Sequence, residues 1–283
     1  MWRARLVGRT VLPRLSAECR GGVLATFARS CYLDLDGEVV AVVAGDLPAG
    51  PFAVVVEGTP PLAGVPAGAP AAAGGDRIRI GDALEVDLRP AVPWDPLLAP
   101  WAGMPAHLDD HLALLRRLLL DGASPNGLGR VAAGGTDDGP LARRAQPALA
   151  ALATGLRDRD ARALGAAARG LAGLGPGLTP SGDDVLTGCL LALSLWPTRR
   201  PDLRSLIAGQ AISRTTRISA AYLAAAARGE AGGDWHHLRD ALAESDPDAV
   251  RRAAARLLAL GETSGADMLG GFLLAAQALV PPA

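Results

Sequence analysis

The sequence predicts an α+β protein, with a small and mostly β N-terminal domain over residues 1–100 and an α-helical domain over residues 101–283. Short β-branched runs bounded by Gly, Pro and Asp fill the first hundred residues. Leucines at helical spacing, beginning with Leu108, Leu112 and Leu115, dominate the rest. A Gly-rich segment that leads into an apolar helix occurs twice in the helical part, which predicts an internal pseudo-repeat.

The strands of the N-terminal domain are predicted at 32–35, 38–43, 52–56 and 77–80, the last three from runs rich in valine and isoleucine. Asp36-Gly37 is typical of a tight hairpin turn between the first two of these strands. The segment 59–75 is so rich in Pro, Ala and Gly that it predicts a mobile loop within the domain. Trp94-Asp-Pro96 is expected to close the β region.

The helices are predicted from the 3.6-residue spacing of apolar positions and from Gly and Pro at their ends. They are expected at 107–120, 141–174, 183–195, 203–228, 235–242, 248–260 and 267–279.

The two Gly-rich segments are alike position by position. From Ser181 the first reads Ser-Gly-Asp-Asp-Val-Leu-Thr-Gly-Cys-Leu-Leu-Ala, and from Ser264 the second reads Ser-Gly-Ala-Asp-Met-Leu-Gly-Gly-Phe-Leu-Leu-Ala. Seven positions besides the serine carry the same residue, without a gap. Gly188 and Gly271, each followed four residues later by Ala, would let these helices approach another helix closely.

A capping box is one interpretation of both segments. Ser181 with Asp184, and Ser264 with Asp267, have the spacing at which a serine caps a helix and the acid bonds back to it. Both acids also lie where the helix dipole favours a negative charge. Capping accounts for the residues of the second segment, but the first segment contains additional residues that capping does not require.

That surplus consists of Gly175, Gly177 and the extra acid Asp183. Glycines let a backbone approach a ligand or adopt positive φ, and the N–H groups at a helix start attract anions. Two adjacent carboxylates repel a bare phosphate, so a phosphate here implies a bridging divalent cation such as Mg²⁺ or a protonated acid. Asp183, alone or with Asp184 or Asp267, is the candidate ligand for the cation or acceptor for the proton. The candidate substrate-binding or phosphate-binding residues are Gly175, Gly177, Thr179, Ser181, Gly182, Ser264, Gly265 and Asp267.

Ser213-Arg-Thr-Thr-Arg217 is a second candidate anion site, because hydroxyls and guanidinium groups together can hold phosphate. The alternative is a solvated helix face with an arginine pair. Arg214 is the candidate phosphate contact here. Arg217 joins Asp183 and Asp184 as a candidate catalytic residue.

The motif at 173–184, Gly-Leu-Gly-Pro-Gly-Leu-Thr-Pro-Ser-Gly-Asp-Asp, resembles the signature of a bacterial family of unknown function that includes the AllH-type subunit of oxamate carbamoyltransferase. Shorter stretches are also similar: Tyr32-Leu-Asp-Leu-Asp-Gly37, Gly50-Pro-Phe52, Trp94-Asp-Pro96, Thr216-Arg-Ile-Ser219 and Thr263-Ser-Gly-Ala-Asp-Met268. The resemblance implies a cytoplasmic transferase subunit in purine catabolism (allantoin degradation). Its reactants would be oxalurate, phosphate, oxamate and carbamoyl phosphate, and separate subunits would act with it in a hetero-complex.

Composition narrows the function further. The formal net charge is −1, so there is no broad basic field for nucleic acid or an anionic membrane. None of the 28 basic residues is a lysine, which excludes Schiff-base chemistry. The 3 cysteines are too few and too scattered for a disulfide framework. A carbamoyltransferase subunit is the leading hypothesis; a non-catalytic assembly subunit and a small-ligand sensor using the same loop remain open alternatives.

Overall fold

The computed structural model describes residues 1–82, 84–196 and 201–280. The chain forms two compact units, Met1–Pro96 and Leu97–Ala283. The first is a sheet and the second is helical, so the predicted α+β class is confirmed.

The first unit is built on one sheet with the strand order β5-β4-β3-β2-β6-β7-β8-β1-β9. β1 pairs with β8 on one side and with β5 on the other, so the sheet closes on itself. Its strands are β1 (Trp2–Gly8), β2 (Cys19–Thr26), β3 (Ser30–Leu35), β4 (Glu38–Val43), β5 (Ala53–Val56), β6 (Pro70–Gly74), β7 (Arg77–Ile80), β8 (Leu84–Asp87) and β9 (Val92–Trp94). A short helix, α1 (Leu12–Ser16), joins β1 to β2.

The predicted strands at 32–35, 38–43, 52–56 and 77–80 correspond to β3, β4, β5 and β7. The predicted hairpin also forms, because Asp36 and Gly37 both take positive φ, 46° and 91°, between Leu35 and Glu38. The prediction of a loop over 59–75 is wrong at its end, where residues 70–74 form β6 between β2 and β7. Alanine and glycine there leave no strand periodicity to read, and cross-strand pairing decides the conformation.

The second unit consists of helices around a single apolar core. They are α2 (Leu108–Gly122), α3 (Gly129–Ala132), α4 (Pro140–Asp158), α5 (Ala161–Leu171), α6 (Ser181–Leu195), α7 (Pro201–Ala211), α8 (Arg217–Arg228), α9 (Gly233–Ala243), α10 (Pro247–Leu258) and α11 (Ser264–Leu279). Among the described residues, no helix is long and apolar enough to cross a membrane.

Two predicted helices are each divided in the structure. The segment 141–174 breaks at Arg159, which takes a left-handed conformation with φ 57°, and restarts where Asp160 caps α5. The segment 203–228 breaks at 212–216, where a 3₁₀ turn (Ile212–Arg214) precedes the cap of α8 by Thr216. Both breaks are caps made by short polar side chains, which the apolar spacing does not reveal.

Helices α6 and α11 form the centre of the second unit and are buried nearly all round. A Cβ atom on Gly188 would overlap the carbonyl oxygen of Met268, and one on Gly271 would overlap that of Val185. Only glycine therefore permits this contact between the two backbones, and the close helix approach predicted for both residues is confirmed.

Candidate functional site

The first turns of α6 and α11 meet at one place. The Thr179 hydroxyl, just before α6, lies 3.0 Å from the Ser264 hydroxyl at the start of α11. The Ser264 hydroxyl lies close enough to the carboxyl of Asp184 to lower its pKa, and the Ser181 hydroxyl acts in the same way on the carboxyl of Asp267. The two segments that are alike in sequence thus exchange serine–aspartate contacts across the junction.

This exchange contradicts the capping-box interpretation. Pro180 and Thr263 occupy the N-cap positions, and neither makes a side-chain cap hydrogen bond. Ser181 and Ser264 are instead the first residues of their helices. Their hydroxyls therefore do not cap their own helices, and each lies near the carboxyl of the opposite helix.

The buried carboxyl of Asp183 connects two segments of the chain through hydrogen bonds. Its Oδ1 accepts a hydrogen bond from the Gly173 backbone N–H at 3.0 Å, and its Oδ2 accepts one from the Thr215 hydroxyl. Burial raises the pKa of Asp183, and the hydrogen bonds from Thr215, Gly173 and Ser219 oppose that rise. Each carboxyl oxygen of Asp183 thus accepts one hydrogen bond from the protein, which fixes the side chain between the two segments.

Asp267 organises a turn that the sequence reasoning missed. Its Oδ1 accepts hydrogen bonds from the backbone N–H groups of Leu128 and Gly129, each at 2.6 Å. A Cβ atom on Gly127 would come within 2.9 Å of Oδ2 of the same carboxyl, so the turn can lie this close only with glycine there. The signal available in the sequence was the pair Gly127 and Gly129 before the short helix α3.

The side chains of Asp184 and Asp267 are both buried. Asp184 is 5% exposed and Asp267 is 0% exposed. Burial raises the pKa of Asp184 well above its usual value, and the nearby carboxyls of Asp267 and Asp183 raise it further. Burial also raises the pKa of Asp267, against the hydrogen bonds from Ser181 and Thr263.

Among the described residues, one oxygen of each of these two carboxyls has no hydrogen-bond partner. Within the described part of the chain, Oδ2 of Asp184 and Oδ2 of Asp267 are buried without a hydrogen-bond partner. Buried polar atoms are nearly always paired, so two orphaned oxygens in one cluster are unusual.

The Gly-rich loop adopts the conformations that its glycines predict, with φ 124° at Gly175 and 88° at Gly177. Gly175 packs against the backbone of Ser181, whereas the space beside Gly177 is open. The Gly182 N–H donates to the Leu174 carbonyl at 2.8 Å. An anion therefore has access to the outer side of the loop rather than to this buried N–H at the start of α6.

The second segment repeats the buried part of this arrangement. Gly265 donates its N–H to the Leu260 carbonyl at 3.0 Å, as Gly182 does to Leu174. A Cβ atom on Gly265 would overlap the Leu257 carbonyl, just as one on Gly182 would overlap that of Leu171. These glycines are required for packing.

Hydrogen bonds connect the arginine segment, residues 213–217, to the Gly-rich loop that precedes α6. The Thr216 hydroxyl donates to the Leu178 carbonyl at 2.6 Å, and Thr215 bonds Asp183. A Cβ atom on Gly173 would lie 2.7 Å from the Arg214 carbonyl oxygen, so the backbones touch here as well. Arg214 and Arg217 are exposed beside this junction.

In the ranges that the structure describes, no group of three or more His, Cys, Asp or Glu side chains is placed to hold a metal ion.

These features define a two-unit α+β chain whose helical unit joins two glycine-led helix starts through buried carboxyls. Residues 171–276 match the family model described as oxamate carbamoyltransferase subunit AllH. The match confirms the resemblance to the AllH-type family predicted from the motif at 173–184, and it spans both helix starts and the arginine segment. No solved structure gives a significant match to the chain.

Proposed function

We propose that this chain is a subunit of an oxamate carbamoyltransferase-like enzyme, acting in a hetero-complex with other subunits in the cytoplasm. The family match over 171–276 supports a subunit of this kind. The reaction would move a carbamoyl group between an oxamate-type amide and phosphate, as a step of purine-nitrogen catabolism.

The observation that carries a role in anion binding is the junction between the Gly-rich loop and the arginine segment. Thr215 and Thr216 tie that segment to Asp183 and to the Leu178 carbonyl. Gly177 and Arg214 are both exposed beside the junction. Phosphate or carbamoyl phosphate would rest on this outer face, where guanidinium groups can bind it through paired hydrogen bonds.

In the synthetic direction, the amide nitrogen of oxamate attacks the carbamoyl carbon of carbamoyl phosphate. A C–N bond forms, the C–O bond to phosphate breaks, and phosphate leaves with the electron pair. The proton lost from the amide nitrogen ends on the phosphate, and oxalurate is the other product. Arg214 and Arg217 would stabilise the negative charge that grows on the leaving oxygens, while Asp183 positions the segment that carries them.

Replacing Arg214 with alanine tests this role. We expect Arg214→Ala, assembled with its partner subunits, to lower kcat/KM for phosphate release from carbamoyl phosphate and oxamate by on the order of a hundredfold, as loss of a transition-state contact does. Arg117→Ala is the matched control, since Arg117 is an exposed arginine on α2. Equal activity of the two variants would rule out the arginine role, and an inactive wild-type complex would rule out the reaction.

A non-catalytic assembly subunit is the second candidate, and the exposure of Leu178 favours it. This leucine is 41% exposed, between Gly177 and Thr179, on a loop whose base is buried. An exposed apolar side chain on a fixed loop suits contact with a partner subunit. In that case Leu178→Asp would weaken assembly measured by size-exclusion chromatography, and Arg214→Ala would change neither assembly nor turnover.

We also infer that the two glycine-led segments are structural copies related by an approximate two-fold axis. Ser181 corresponds to Ser264 and Asp184 to Asp267, and each serine lowers the pKa of the other copy's aspartate. The backbone contacts of Gly188 and Gly271 are reciprocal in the same way. This reciprocity, together with the sequence echo, supports the predicted pseudo-repeat.

A further inference from the structure

The serine and aspartate side chains at the two helix starts form one cluster. Ser181 and Asp184 are three residues apart on α6, and Ser264 and Asp267 are three apart on α11. Residues at this spacing lie on the same face of a helix. Because Ser264 and Asp267 both act on the carboxyl of Asp184, and Ser181 acts on that of Asp267, these four side chains are neighbours.

Among the described residues, the groups that act most strongly on the two carboxyls of this cluster include no positively charged side chain. The charged side chains that act on Asp184 are Asp267 and Asp183, which carry the same sign. Asp267 is surrounded by hydrogen-bond donors that are neutral, namely two hydroxyls and two backbone N–H groups. Burying ionised carboxyls without compensation is strongly unfavourable.

The two orphaned oxygens indicate where compensation is needed. Backbone N–H groups of Leu128 and Gly129 occupy Oδ1 of Asp267, which leaves Oδ2 of that carboxyl available. Oδ2 of Asp184 is likewise buried and unpartnered. Thr179 and Ser264 are only half-buried, so the cluster can be reached from solvent on their side.

We propose that Asp184 and Asp267 together hold one divalent metal cation, with hydroxyl oxygens of Ser181, Ser264 and Thr179 as further donors. Hard cations such as Mg²⁺, Mn²⁺ and Ca²⁺ prefer oxygen ligands of this kind. A charge of +2 balances the two carboxylates. Asp183 is not part of the proposed ligand set, because each of its oxygens already accepts a hydrogen bond, whereas Asp184 and Asp267 each have a buried oxygen without one among the described residues.

This cation would fasten the N-terminal ends of α6 and α11, and its binding does not depend on the carbamoyl reaction. The test uses the full chain, stripped with a chelator and then titrated separately with MgCl₂, MnCl₂ and CaCl₂ in the absence of any substrate. We expect one bound cation per chain by elemental analysis. We also expect Tm to rise by roughly 5–10 °C at about a hundredfold excess over Kd.

Asp184→Asn and Asp267→Asn should each abolish both the bound cation and the cation-dependent rise in Tm. Asp234→Asn is the matched control, because Asp234 is also a buried acid in the first turn of a helix, α9. It should keep the full cation response.

Two results would overturn the proposal. One is a wild-type chain with no bound divalent cation and no rise in Tm beyond that produced by NaCl at matched ionic strength. The other is retention of the bound cation by both asparagine variants. If the chain binds no cation and Asp184→Asn raises Tm, a shared proton compensates the two carboxyls instead.

Discussion

Asp183 shows how a single buried carboxyl can hold separate parts of the helical unit. It joins Gly173, which follows α5, to Thr215, which precedes α8, while its own backbone belongs to α6. Three elements therefore depend on one side chain that is 1% exposed. In the sequence, Asp183 is an acid that capping does not require. In the structure, its carboxyl makes this connection.

Asp183→Ala should destabilise the chain because it leaves the Gly173 N–H without its acceptor and removes the partner of Thr215. We expect a loss of about 1–3 kcal/mol in the free energy of unfolding, as is usual for an unsatisfied buried group. Urea unfolding followed by circular dichroism measures it. Asp138→Ala, at an exposed acid, is the control. Similar stabilities for the two variants would contradict this structural role of the Asp183 carboxyl.

Helices α6 and α11 illustrate why glycine is needed inside an element. Glycine in a helix interior is unfavourable by itself. At Gly188 and Gly271 that cost is offset because the backbones of the two helices touch, which no residue with a Cβ atom would allow.

Gly271→Ala should therefore destabilise the helical unit, although alanine is the better helix former. We expect a cost of about 1–3 kcal/mol or more from overpacking against the Val185 carbonyl. Gly209→Ala, on α7, is the matched control, because no atom lies within 4 Å of the added Cβ. Thermal unfolding should rank the control at or above wild type. A stable Gly271→Ala would show that the helices can separate without cost.

At the scale of the whole molecule, the cysteines are distributed over both compact units. Cys19 and Cys31 lie in the first unit and Cys189 lies in the second, and all three are buried and free. Burial raises the pKa of Cys31 to about 11 and that of Cys189 to about 12. Since the thiolate is the reactive form, the thiols of Cys31 and Cys189 are protected twice, by exclusion of reagent and by protonation.

We expect native chain to react with no equivalent of a thiol reagent such as DTNB at neutral pH, and unfolded chain to react with three. Because the thiols are divided between the units, stepwise exposure during urea unfolding reports whether the units unfold together or separately. Mass spectrometry of the labelled peptides assigns each step. Rapid labelling of Cys189 in native buffer would contradict the burial of α6.

Sequence patterns alone predicted much of the fold and part of the site. The valine-rich runs predicted β4 and β5, and the echo from Ser181 and Ser264 marked both buried helix starts. Periodicity failed at β6 and at the break after Arg159, where strand pairing and a local cap decide the conformation. Local chemistry along the chain thus predicted which segments are important, but not all of their boundaries.

Which groups meet was decided only by the tertiary structure. The serines that fit a capping box lie near the aspartate of the opposite helix. The Gly127–Gly129 turn reaches Asp267 from 138 to 139 residues away in sequence. Such contacts follow from the crossing of α6 and α11, which brings together segments that are far apart along the chain. Local sequence patterns therefore do not predict these contacts. The sequence by itself determined that two glycine-led helix starts carry the candidate site, because glycine and acid spacing are local. The fold determined that they share one cluster of carboxyls, because only packing sets which side chains compete for the same hydrogen bonds.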